Sequence, residues 1–346
     1  EGWRLALSDV NEAGLQHTLA LVREAGGDGF TQRCDVRDYS QLTALAQACE
    51  EKLGGIDVIV NNAGMSETSN TPLVAQAPAQ MARLLALNLA APAAVVQACA
   101  PLLRPGARIV NVASGAGLRA IPWRGAYSPS KAGLIAQTQA LARAHPEWCV
   151  TVLCPGFVRT ELVDALIQAG RLNPEGAVSR IPLGRMAEPH EMANALFFLA
   201  SPGAAPLSGQ ALSVDGGSSV YGGSQPLPAT QLGVQPWDTP LRLEVVGGDA
   251  TPWQAIGHAS ASGPHHSACL DVSAHHAAPG TLLQAVQSAA TRFANRHTQQ
   301  ASLTLLLPAE TPTDWPAAGD HAAARMLVST LACEWGSRAL RINALV

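Results

Sequence analysis

Aromatic side chains make up only 4% of the 346 residues and charged ones only 14%, and neither charge sign dominates, the formal net charge being −4. So little Lys and Arg leaves no basic field for nucleic acid or for an anionic membrane surface, and neither is expected as a partner. The seven cysteines (Cys34, Cys49, Cys99, Cys149, Cys154, Cys269 and Cys333) are scattered, odd in number and never spaced as Cys-x-x-Cys. That pattern argues against a disulfide framework and a zinc site, and the cysteines read as small core residues. Two His-His pairs, His265-His266 and His275-His276, lack ordered ligand spacing and read as solvated loop, so no metal is expected. No run is read as a bilayer span, and the start is neither a Met nor a signal peptide, so a reducing cytoplasm is the expected compartment.

Against these scarcities stands an apolar content of 47%, enough to bury one large core or two ordinary ones. Its most informative stretch is Tyr127-Ser128-Pro129-Ser130-Lys131. A Tyr four residues ahead of a Lys on a helix puts phenol and ammonium on one face, where the cation is expected to lower the phenol's pKa. Ser114 lies 13 residues upstream, at the end of the apolar run Ile109-Val110-Asn111-Val112-Ala113, which reads as a buried parallel strand. A hydroxyl at that carboxyl edge faces the ligand crevice of an open α/β sheet, although it could equally be a strand-end cap. Ile56-Asp57-Val58-Ile59-Val60 leads into Asn61-Asn62-Ala63-Gly64, a strand followed by small residues that let a flat ligand approach the backbone. Asn88 is a polar residue in the apolar helix that follows.

Together these residues resemble the short-chain dehydrogenase/reductase family, whose pattern is Asn-Asn-Ala-Gly, a helix Asn, a strand-end Ser and then Tyr-x-x-x-Lys. The resemblance continues through Pro155-Gly156-Phe157-Val158-Arg159-Thr160 and ends with Gly209-Gln210-Ala211-Leu212-Ser213-Val214-Asp215-Gly216-Gly217, covering about residues 3 to 220. It implies an α/β, Rossmann-like, doubly wound parallel sheet over residues 1–222, with Trp3 to Asp9 as the family's second strand. The family's first strand and glycine-rich turn are not found ahead of Asp9, which is read as truncation; otherwise the polypeptide could not hold a dinucleotide in the usual way.

By the same resemblance Tyr127 would be the general acid/base, Lys131 would tune it and hold the nicotinamide ribose, Ser114 would hold the substrate oxygen, and Asn88 would orient a water leading from Lys131. Asn88 could instead satisfy a neighbouring backbone group. Asn61, Ala63 and Gly64 would line the cofactor, Asp35 and Val36 would meet the adenine edge, and Pro155, Gly156, Val158 and Thr160 would pass the nicotinamide. Asp35 could alternatively cap a helix beginning near Ser40. Asp9 would accept hydrogen bonds from the adenosine ribose and repel a 2′-phosphate, favouring NAD over NADP, and no basic residue is seen beside it; its plain alternative is a turn residue. The segment from Glu161 to Arg180 is the expected substrate lid. It mixes Leu162, Val163, Leu166 and Ile167 with Arg171 and Asn173, suiting a moderately apolar substrate.

A Pro- and Gly-rich stretch at residues 223–240 reads as a linker to a second, smaller, degenerate Rossmann-like unit at 241–346. Leu331-Ala332 aligns with Leu141-Ala142 at a shift of 190, which puts Ala317 at the Tyr position and His321 at the Lys position. Neither can do the original job. Asp271-Val272 resembles Asp35-Val36, and there is no clear room for the middle strand and helix. Family members dimerise through the helix bearing Tyr-x-x-x-Lys, so a homo-oligomer is expected, or an intrachain pseudo-dimer in which a helix at 318–336 presents Met326, Leu327, Thr330 and Leu331. The leading function is NAD-dependent interconversion of a secondary alcohol and a ketone; the alternatives are an NADPH-dependent 3-oxoacyl-type ketoreductase and a noncatalytic scaffold.

Overall fold

The computed structural model describes residues 2–67, 71–170, 172–221, 239–253, 265–308 and 315–346. Most of the linker read at 223–240, and the lid residue Arg171, lie outside the described residues. In chain order the first elements are β1 (Arg4–Asp9), α1 (Glu12–Glu24), β2 (Asp28–Arg33), α2 (Tyr39–Leu53), β3 (Ile56–Asn61), α3 (Pro78–Leu85) and α4 (Ala91–Cys99). There follow β4 (Leu103–Val112), α5 (Tyr127–Ala144), β5 (Cys149–Pro155), α6 (Glu161–Gln168), α7 (Pro174–Val178), α8 (Pro189–Leu199), β6 (Ala211–Val214) and α9 (Ser218–Tyr221). The chain closes with β7 (Leu241–Val246), β8 (His266–Asp271), α10 (Leu282–Arg296), β9 (Ala301–Leu306), α11 (Trp315–Trp335) and β10 (Arg341–Leu345).

Local chemistry sets the helix ends. Asn11 accepts from the Gly14 amide at the start of α1, and Asp38 accepts from Ser40 and Gln41 at the start of α2. These side chains satisfy amides that have no partner inside the helix. The α2 cap is thus Asp38, not Asp35. Asp35 turns instead to Arg37, which it holds at 2.6 Å.

All strand pairs are parallel. They form three sheets, β1-β2, β3-β4-β5-β6 and β10-β9-β8-β7, with helices packed against them. β1 and β3 do not pair, and both line a cavity of about 950 Å³, so the expected single first sheet is divided at that point. Ile109 and Val150 on β4 and β5 pack with Leu42 of α2, Val96 of α4 and Leu141 of α5, which is why those strands read as continuous apolar runs.

The helical stretch Pro78–Leu102 is long and apolar enough to cross a membrane by length and composition, contrary to the sequence reading; half of its most apolar window is buried inside the fold. Nor are both His-His pairs solvated: His266 is buried on β8 and bonded to Ser302 at 3.0 Å, and His275 reaches the Leu307 carbonyl at 3.3 Å. Among the described residues no group of three His, Cys, Asp or Glu is placed to hold a metal.

The second sheet has the room that the sequence seemed to deny it, since β8, α10 and β9 precede α11. β8, β9 and β10 lie side by side as β3, β4 and β5 do. Val58 pairs with Arg108 and Arg108 with Cys149, just as Ala268 pairs with Ser302 and Ser302 with Arg341. On that match of register Asp271, three residues after Ala268, takes the place of Asn61, three residues after Val58, and not of Asp35.

The two halves share one core. Leu73, Met81, Leu84 and Ala126 are buried in the same cluster as Phe293, Leu303, Leu327 and Trp335. α11 lies along α5, with Leu327, Thr330 and Leu331 fully buried. The two backbones meet at Gly133 and Gly319. A Cβ on Gly133 would stand 2.7 Å from the Gly319 carbonyl oxygen, closer than any side chain tolerates.

Candidate active site

Four of the residues singled out converge where β4, β5 and α5 meet. Ser114 follows β4, and its Oγ accepts from the Ala116 amide at 3.1 Å. The hydroxyl shares a cavity with the phenol of Tyr127, at the first turn of α5. Lys131, one helical turn on, is buried and donates from Nζ to the Val112 carbonyl at 2.9 Å. Its ammonium stands 6.0 Å from the centre of the Tyr127 ring.

The electrostatics differ from the expectation. Burial pushes the Tyr127 phenol above its ordinary value, against the pull of the Ser114 hydrogen bond and of Arg124, a cation that the sequence reading did not single out. Burial lowers Lys131 to about 8. The buried ammonium is therefore costly to keep charged, and Arg124 is a further cation that favours the phenolate.

Asn88 occupies a π-helical turn, Ala86–Ala90, between α3 and α4. Such a turn adds a residue to the helix and is frequent at functional sites. The Asn88 side chain accepts from the Met65 amide at 2.9 Å, donates to the Met65 carbonyl at 2.9 Å and reaches Ser130 Oγ at 3.2 Å. It clamps the loop after β3 to α5, the backbone-satisfying role open to it from the sequence. Within that loop Gly64 lies against the Lys131 ammonium: a Cβ there would stand 3.4 Å from Nζ and 3.3 Å from Asn88 Oδ1.

The expected cofactor residues fall into two groups. Asp9, Val36, Asn61 and Ala63 line the cavity between β1 and β3. Asp9 Oδ1 accepts from the Asn11 amide at 2.8 Å, and its β1 position pairs with Arg33 on β2, so a basic residue does stand beside it. Asp35, half-buried near that edge, has its carboxyl held at about 2 by the Arg37 guanidinium. The Asn61 side chain is committed to the core, donating to Asn111 Oδ1 at 2.8 Å while Asn111 donates to Thr138 at 2.8 Å, so only its backbone is free to meet a ligand.

Pro155, Gly156, Val158 and Thr160 line a second cavity of about 300 Å³ with Ser114 and Tyr127. The Gly156 amide donates to the Val214 carbonyl at 3.1 Å, Val158 bridges to Ala187, and Thr160 caps α6 by accepting from the Val163 amide at 3.3 Å. Ile121, Phe157, Val163, Leu166 and Leu172 supply apolar walls, and Arg119, Arg124 and Arg180 supply positive charge. Asn173, read as part of the lid's polar lining, instead caps α7 through Glu175 and Gly176. Arg119 and Arg124 were missed because only the fold carries the loop between β4 and α5 over the Ser-Tyr pair.

Known proteins resemble this chain in sequence and fold. A family model described as enoyl-(acyl carrier protein) reductase matches residues 1–219. An uncharacterized short-chain type dehydrogenase/reductase of Sinorhizobium fredii is 39% identical over 259 residues, covering 70% of this chain, and the chain spans 45% of that relative's length. A 3-oxoacyl-[acyl-carrier-protein] reductase of Thermotoga maritima is 33% identical over 226 residues, covering 63% of this chain and 88% of that protein. Among solved structures, an actinorhodin polyketide ketoreductase with NADPH superimposes with a TM-score of 0.58 at 33% identity, over 64% of this chain and 89% of that one. A gluconate 5-dehydrogenase of Burkholderia cenocepacia with NADP and tartrate does so with 0.57 at 29% identity, over 62% and 84%. The chain belongs to the short-chain dehydrogenase/reductase family, enzymes that act on CH–OH or keto groups with nicotinamide cofactors.

Proposed function

We propose that this chain interconverts a secondary alcohol and a ketone by hydride transfer, with Tyr127 as general acid/base and residues 1–222 as the catalytic unit. The observation that carries the reading is the meeting of Ser114 and Tyr127 on one cavity with Lys131 buried beside them. A bound nicotinamide would supply or accept the hydride. Tyr127 Oη would give the proton to the ketone oxygen or take it from the alcohol. Ser114 would donate to the same oxygen and stabilise charge developing there. Lys131 would meet ribose hydroxyls past Gly64, a reading that the closeness of Gly64 to its ammonium supports, and Pro155 to Thr160 would pass the nicotinamide.

The residues present fit the two ends of a dinucleotide. Asp9, Val36 and Ala63 suit the adenosine end, and the Tyr127 cavity suits the nicotinamide end. Contacts to the pyrophosphate would come from a strand and glycine-rich turn seated between β1 and β3. The arginines of the smaller cavity, with no Asp or Glu among its described lining residues, favour a substrate with an apolar body and an anionic group.

Asp9 at the carboxyl end of β1 favours NAD. A second reading, an NADPH-dependent 3-oxoacyl-type ketoreductase, is favoured by Arg33, which pairs with that position and could meet a 2′-phosphate. Fluorescence titration with NADH and NADPH, on this polypeptide and on one extended upstream of Glu1, separates the two. Tighter NADH binding that Asp9→Ala inverts supports the first reading. Tighter NADPH binding that Arg33→Ala abolishes replaces it with the second, and no binding by either polypeptide leaves a scaffold.

Residues 241–346 read as a noncatalytic unit whose α11 occupies, against α5, the seat that a second protomer takes in family dimers. The Gln137 amide donating to the Pro316 carbonyl at 3.3 Å and the Gly133–Gly319 approach support this pseudo-dimer reading.

A further inference from the structure

We infer that Glu334, on the last turn of α11, is a positioning residue that holds in place the wall of the first unit's substrate cavity. The inference rests on the reading of that cavity as the substrate site. Glu334 is buried, and its two carboxylate oxygens are divided between two distant loops. Oε2 accepts from the Leu73 amide at 2.9 Å and Oε1 from the Trp123 amide at 2.7 Å.

Trp123 adopts φ +58°, a left-handed conformation that a bulky residue keeps only when its surroundings hold it there. The same segment supplies Arg119, Ile121 and Arg124 to the cavity, and Tyr127 follows directly. Further ties include the Ile121 amide donating to Ser128 Oγ at 3.0 Å and Arg124 donating to the Glu67 carbonyl at 3.1 Å. Glu334 thus grips from outside the loop whose inner face the substrate would touch. A carboxylate buried on backbone amides is expensive to retain, and burial indeed pushes its carboxyl up.

The two units have parted in a complementary way. At the 190-residue shift the counterpart of Glu334 is Ala144 on α5, so the catalytic unit offers no such carboxylate in return. The second unit, with Ala317 and His321, has no chemistry to brace. One half keeps the reacting groups and the other keeps the grip.

Residue-resolved hydrogen exchange on the full chain, comparing Glu334→Gln and Glu334→Ala with the wild type, tests this. Loss of a charge-assisted hydrogen bond should speed exchange of the Leu73 and Trp123 amides more than about tenfold, with the body of α5 within about twofold. With a 3-oxoacyl thioester as probe, KM should rise about tenfold, kcat should change less than about threefold, and cofactor affinity should hold. Glu334→Gln keeps the shape and one acceptor and serves where the Ala variant does not fold. Unchanged exchange at Trp123, exchange raised equally throughout α5, or a freed loop with KM unchanged would overturn the inference. Failure of the wild type to turn over any carbonyl compound, with the loop still freed by substitution, would count against the proposed activity and leave the brace standing.

Discussion

α5 and α11 are the same kind of helix in the same place in two sheets, each following the second strand of the match and preceding the third, yet they bear different residues. α5 carries Tyr127 and Lys131, while α11 carries Ala317 and His321 at the corresponding turns. Counting from the pairs Arg108–Cys149 and Ser302–Arg341 puts Pro308 where Ser114 stands. The polar ladder Asn61–Asn111–Thr138 gives way to Asp271, Leu305 and Val328, and Asp271 turns to Arg292 at 2.9 Å. The two helices still meet through glycine, Gly133 on one and Gly319 on the other, although the 190-residue shift sets these against Ala323 and Pro129. Backbone packing can thus outlast chemistry, because the core needs only shape whereas catalysis needs named groups at fixed points.

That contrast can be broken or sharpened in order of effect. Ser114→Ala should lower kcat about 10²- to 10³-fold while the fold and cofactor affinity hold, as steady-state kinetics and titration would read. The buried Lys131 should leave a pH signature. Its folded pKa of about 8 lies below the ordinary 10.5, so the unfolded chain binds more protons between those values and stability rises with pH across that window. Lys131→Met should remove that slope and stabilise the protein by up to about 3 kcal/mol near pH 7, measured by urea unfolding at pH 7 and 9.5. Gly319→Val, which crowds the Gly133 carbonyl and Leu89, should cost about 1–3 kcal/mol in the same assay. Smallest of all, Ala317→Tyr combined with His321→Lys should change turnover by less than about twofold, because Pro308 offers no hydroxyl to a substrate oxygen there.

Much of this was legible in the chain itself. The strands ending at Asp9, Asn61 and Val112 show as apolar runs, though β4 begins at Leu103, well before its apolar part, and the spacing of Ser114, Tyr127 and Lys131 points to one sheet edge. The electrostatics were not legible, since whether Lys131 or Arg124 acts on the phenol depends on burial and on a loop path, neither of which spacing encodes. Arg33 beside Asp9 was hidden for a similar reason, being 24 residues away in sequence and adjacent only through the β1–β2 register. The second unit was misjudged in part because its middle strand and helix bear no motif; β9 and α10 announce themselves only by alternating and helical apolar spacing.

The most direct test of the division of labour is hydride transfer by Tyr127→Phe, followed as carbonyl-dependent oxidation of NADH and NADPH by the chain extended upstream of Glu1. Loss of the proton donor should lower kcat by at least about 10³-fold with cofactor affinity within about twofold of the wild type. Turnover by the Phe variant at the wild-type rate would contradict the account, since the chemistry would then lie somewhere other than the Ser114–Tyr127 cavity.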